Sequence, residues 1–195
     1  VPASSESSRV SKKLRVYVPA TVPMLRELVA DREIRALNDT AFAVTPALRE
    51  AYASGDDEEL AEVAMAEAAR ASLRLLAEEQ AAADLRDDDA GDESGAAPAG
   101  PVFRRAVIAA DVDGATLRPD LDDAVVRLSG PIPYDRIASI HVDLAEAEPE
   151  VAKAVEVIDA ADMGDADAEF VLGDAEDHQL AWYAAQELPF LLDLL

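Results

Sequence analysis

A chain of 195 residues, half of them hydrophobic, is long enough to bury one sizeable core. It carries 41 acidic against 17 basic residues, a formal charge of −24, so a phosphate backbone or an anionic membrane surface would be repelled. The absence of cysteine removes any disulfide framework or thiolate metal site, and no apolar run approaches the roughly 20 residues of a membrane-spanning helix. These features predict a soluble cytoplasmic protein that binds neither nucleic acid nor membrane.

The charge is unevenly spread. Residues 1–50 hold 8 bases and 6 acids, whereas residues 51–195 hold 9 bases and 35 acids. In the last 59 residues Lys153 is the one base among 15 acids. The acidity either keeps the chain in solution or forms a docking face for a basic partner.

Residues 1–13 are polar and Ser-rich and read as a disordered leader. Leu14 to Val18 alternates and predicts a strand. A short helix is expected over Met24 to Ile34 and a second strand over Thr40 to Val44. Thr45 then caps a brief helix that Pro46 opens. The longest helix is expected from Asp56 to Ala83, started by Ser54 with Asp57 three residues on. On its surface Glu67 pairs with Arg70, and Arg74 with Glu78. Residues 84–101 (DLRDDDAGDESGAAPAGP) hold almost nothing to bury and read as a disordered acidic linker.

Beyond it, strands are expected over Val102–Val112, Ala124–Leu128 and Ala138–Val142. Pro149 opens a helix whose apolar residues Val151, Ala154, Val155, Ile158 and Ala161 recur at helical spacing, ending at Gly164. A short strand over Glu169–Leu172 follows. A last helix starts at Asp174 and is stopped by Pro189. The fold class is therefore α+β: one domain over 14–195, with helices on a mixed, largely antiparallel sheet of five or six strands.

Three constellations carry possible chemistry. Asp111-Val-Asp113-Gly114-Ala-Thr116-Leu117 resembles the first motif of haloacid-dehalogenase phosphatases, whose two aspartates serve as nucleophile and acid/base and help hold Mg²⁺. Ser129, Lys153, Asp165 and Asp167 echo that family's later motifs. Against it, too few residues separate Leu117 from Leu128 for a helical crossover, and Ala115 interrupts the motif. Second, His141 and Asp143 share a strand face, and with His178 they form a conceivable metal-binding set. Third, His178, Trp182, Tyr183, Gln186 and Glu187 lie on adjoining stripes of the expected last helix, and Trp and Tyr dominate docking hot spots.

Arg15-Val-Tyr-Val-Pro19, Thr40 to Glu50, Glu67 to Leu76, His141-Val-Asp143 and Glu176 to Pro189 together resemble a family of acidic actinobacterial proteins catalogued as a domain of unknown function. The resemblance covers about residues 14–190 apart from the linker. It implies one domain across the linker and assigns no catalytic residue.

Two functions are thus expected to compete. One is a non-enzymatic interaction or regulatory domain whose acidic C-terminal half, or its His178–Glu187 face, docks a protein, with no cofactor and no metal. The alternative is a metal-dependent hydrolase using Asp111 and Asp113, or His141, Asp143 and His178.

Overall fold

The computed structural model describes residues 13–89 and 100–195. Residues 1–12 of the expected leader over 1–13, and linker residues 90–99, lie outside the described residues.

Strand β1 (Leu14–Ala20) leads through Thr21 into α1 (Val22–Asp31). The expected helix ran to Ile34, but Arg32 turns into the left-handed region at φ 60 and caps α1, with its N–H on the Leu28 carbonyl. Glu33–Ile34 then form β2, paired with β7 (Ile132–Pro133) in a separate ribbon. Next come β3 (Thr40–Ala43) and α2 (Pro46–Ala51), whose N-cap Thr45 accepts from the Leu48 amide as the sequence predicts.

The long helix α3 (Asp57–Asp89) is capped by Asp56 rather than Ser54. Asp56 Oδ1 accepts from the Glu58 and Glu59 amides at 3.0 and 2.9 Å, and Glu59 Oε2 in turn accepts from the Asp56 amide at 3.1 Å. This is the reciprocal capping box, two residues later than expected. The helix runs through residues 84–89, so the first six positions of the expected linker are helical.

Past Gly100 the chain forms β4 (Ala106–Val112), β5 (Thr116–Leu117), β6 (Val125–Arg127), β7 and β8 (Ile137–Val142). Helix α4 (Glu148–Asp162) is followed by α5 (Ala166–Glu176), then β9 (Ala181–Ala184) and α6 (Leu188–Asp193). The main sheet has seven strands in the order β5-β6-β3-β1-β4-β8-β9. Every pairing in it is antiparallel. The α+β class and antiparallel bias are as expected; the strand number exceeds five or six because β5 and β9 were not foreseen.

Central β4 is buried on both faces, which explains its unbroken apolar run rather than an alternating one. One face, with Val16, Val18, Ile108 and Ile140, is covered by α1, α6 and the β2–β7 ribbon through Leu25, Leu28, Leu188, Leu191, Ile34 and Ile132. The other face, with Tyr17, Phe42, Val107 and Val125, is covered by α2 and the first half of α3. Leu73 and Leu76, further along α3, pack instead on α4 and α5.

That third cluster redirects two arginines. Arg70 donates to Glu169 at 2.7 Å and to Asp162 at 3.2 Å, while Arg74 reaches Asp162 at 2.5 Å. The expected intrahelical pairs with Glu67 and Glu78 are replaced by ties across α3, α4 and α5.

The expected strand over Glu169–Leu172 and the helix starting at Asp174 are both overturned. Asp165 Oδ1 caps α5 through the Ala168 amide at 2.9 Å, and Ala168, Leu172 and Ala175 form its buried stripe. The helix therefore starts nine residues early, at its cap Asp165, and ends at Glu176, two residues past the expected start. Residues 181–184 pair with β8 instead, and Pro189 opens α6 rather than ending a helix.

Candidate functional site

The last strand is held in place by a buried ion pair. Arg105 and Asp143 flank the ends of β4 and β8, with side chains 3% and 0% exposed. Asp143 accepts from Arg105 Nε, Nη2 and backbone N, each at 2.8 Å. Arg105 Nη2 also donates to the His178 carbonyl at 2.7 Å, tying the turn after α5 to the sheet. Three donors on one carboxylate satisfy the burial condition for such a pair. The sequence reading missed Arg105, which sits inside an expected strand as an ordinary charge; its place directly before a wholly apolar run was the available signal.

This pairing dissolves the expected His141, Asp143 and His178 set. Asp143 is committed to Arg105, and His178 contributes its carbonyl while its Nε2 lies 3.8 Å from Glu150. His141 Nε2 instead lies 3.0 Å from Ser139 Oγ, two residues away on β8. Among the described residues no group of three or more His, Cys, Asp or Glu is arranged to hold a metal ion.

Burial lowers the pKa of His141 below the ordinary histidine value. The unfolded imidazole takes up its proton near pH 6.5, whereas the folded one resists it. Stability from this residue is therefore complete above about pH 6.5 and lost as pH falls through the lowered folded value. Urea unfolding of the wild type and His141→Asn, compared at several pH values, should show the wild type losing ground to the variant over that window.

Asp111 and Asp113 line a cavity of about 200 Å³ together with Ser129 and Arg136. Gly114 turns there at φ +78, and a Cβ on it would meet Ser129 Oγ at 3.6 Å. Both Asp111 oxygens are engaged by Arg15, at 2.7 and 3.0 Å, and that guanidinium holds the carboxyl below its usual range. Asp113 Oδ2 lies 3.7 Å from Arg136 Nη1. Ser129 thus joins the two aspartates, but Lys153 and Asp165 do not: they belong to α4 and to the cap of α5. The strand is central in an antiparallel sheet, without the parallel crossover that the phosphatase motif uses.

The five residues expected on adjoining stripes of one helix are dispersed by β9. This strand is the sheet edge, with β8 as its partner: Trp182 pairs with His141 and Tyr183 with Ile140. Side chains of a strand alternate, so Tyr183 packs into the α1–α6 core while Trp182 faces the α3 side and is 62% exposed. Glu187 Oε2 accepts from the Ala184 amide at 2.7 Å, and Gln186 is exposed. Since the Ala184 N–H meets Glu187, strand alternation turns the Trp182 N–H and C=O to the same open side. Glu187 covers part of the edge, and among the described residues no strand pairs with β9 on the side of Trp182.

Beside this edge, α3 and the turn carrying His178 enclose a cavity of about 560 Å³. Met65, Ala66, Ala69 and Leu180 give it apolar walls, and Glu62, Glu67 and Glu176 give it carboxylates. Leu180 belongs to the α3-side core and precedes Trp182 by two residues.

These elements define an α+β domain with an antiparallel sheet, one helix-covered face on each side, and an open final strand. Over residues 14–192 the chain matches the Family of unknown function (DUF6912), and it belongs to that family. No curated protein matches it, and no solved structure does. Among the described residues no helix is long and apolar enough to cross a membrane.

Proposed function

We propose that this chain is a cytoplasmic, non-enzymatic interaction domain that takes an extended, basic segment of a partner protein onto the free edge of β9. The observation that carries this reading is Trp182, the chain's single tryptophan, 62% exposed on an edge strand. A large exposed aromatic beside unpaired main-chain groups offers both parts of strand addition. The main chain supplies hydrogen bonds, and alternate side chains supply selectivity. The partner's charge is inferred from the stretch that carries β9, in which Lys153 is the one lysine or arginine among the last 59 residues, against 15 acids. A basic segment is drawn to that surface and an acidic one is repelled.

A photoreactive amino acid placed at 182 in living cells tests this reading. Cross-links to a discrete protein, within a basic extended stretch and absent from a control at exposed Leu121, are expected. Equal, diffuse products from both positions would contradict it.

A further inference from the structure

We propose that the cavity between α3 and the α5–β9 turn is a pocket for one basic side chain, lysine or arginine, carried by the segment that docks on β9. It rests on the interaction reading only for how that side chain arrives.

The cavity's own cations are already committed. Arg105 is closed on Asp143. Arg70 is held by Glu169 and Asp162, with Glu176 at 3.7 Å. Glu67, which lines the same cavity, has no hydrogen-bond or ion-pair partner among the described residues, and neither has Glu62. The Glu67 carboxyl is pushed up, first by burial and then by the charge of Asp122. Arg70 and Arg74 offset this in part, but their guanidinium groups point to other acids.

Such a site has two unmet demands. The apolar walls from Met65, Ala66, Ala69 and Leu180 favour an aliphatic stem. Half-buried Glu67, near Glu176 and Asp122, favours a cation at the end of that stem. Lysine and arginine combine the two, with methylenes that lie along apolar surface and a charged head. An anion would meet three carboxylates, and a purely apolar side chain would leave Glu67 unpaired. Glu67 also bears on stability: ionised, it opposes folding, so Glu67→Gln should fold at least as well as the wild type.

The test uses two capped peptides, Thr-Val-Lys-Val-Thr and the same sequence with norleucine for lysine, and low-salt calorimetry on the full chain. The lysine peptide should bind the wild type about tenfold more tightly than the norleucine peptide. In Glu67→Gln that preference should fall to roughly twofold or less. Trp182→Ala should weaken both peptides alike. Equal binding of the two peptides, or a full lysine preference retained in Glu67→Gln, overturns the pocket. A lysine preference that depends on Glu67, with affinity indifferent to Trp182→Ala, would keep the pocket and remove the strand-edge reading. The reverse pattern would keep the edge and remove the pocket, and no binding of either peptide would remove both.

Discussion

Replacing Asp143 with alanine should cost about 3–5 kcal/mol of unfolding free energy, read from urea denaturation. The carboxylate is wholly buried and receives three Arg105 bonds, each at 2.8 Å. Its removal strands a guanidinium that is 3% exposed and whose remaining acceptor is the His178 carbonyl. The pair as a whole contributes far less than either loss suggests, because both charges leave water to make it. Replacing both residues together, Arg105→Met with Asp143→Leu, should therefore recover most of the loss. A double variant as unstable as Asp143→Ala would show that the pair's geometry, and not an orphaned charge, supports the fold. Since Arg105 also holds the His178 turn, Asp143→Ala should speed amide exchange in β9 more than in β3.

Trp182→Ala should weaken partner binding at least about 30-fold, the effect of a residue worth 2 kcal/mol or more at a docking site. Its effect on stability should be small, because the side chain is 62% exposed and the core residue of that strand is Tyr183. The binding change, measured by calorimetry on a folded variant, therefore separates docking from folding. Binding should also weaken as salt is raised, because the partner's positive charge faces an acidic surface.

Much of the fold was legible because local chemistry and tertiary packing agree there. The alternation of Leu14, Val16 and Val18, the Thr45–Pro46 start and the apolar spacing from Val151 to Ala161 all appear as read. Residues 165–187 were not legible. Asp174 to Glu187 is rich in good helix formers and has a plausible cap, and Phe170-Val-Leu172 looks strand-like. Tertiary context decided otherwise. Asp165 starts α5 just past Gly164, and the bare side of β8 claims Ala181–Ala184. The same competition separates the residues of the candidate face. Helical spacing puts His178 and Trp182 on one stripe and Tyr183 and Glu187 on the next, whereas in the structure Trp182 is exposed on a strand and the other three lie elsewhere. They hold a turn, a core and a strand end. Sequence spacing sets Asp143 beside His141, whereas its partner Arg105 is 38 residues away and becomes its neighbour through the antiparallel pairing of β4 and β8. The cavity of Glu67 was invisible for a similar reason: helical spacing pairs Glu67 with Arg70, and only α4 and α5 draw Arg70 elsewhere.

The chain's single tryptophan lies on the edge in question, so intrinsic fluorescence reports on β9 directly. Titrated at low salt with the capped peptide Thr-Val-Lys-Val-Thr, Trp182 emission should shift saturably to the blue and return as salt is added. The same peptide with glutamate for lysine should leave it unchanged. An emission unmoved by the basic peptide, or moved equally by the acidic one, would contradict a docking edge on β9.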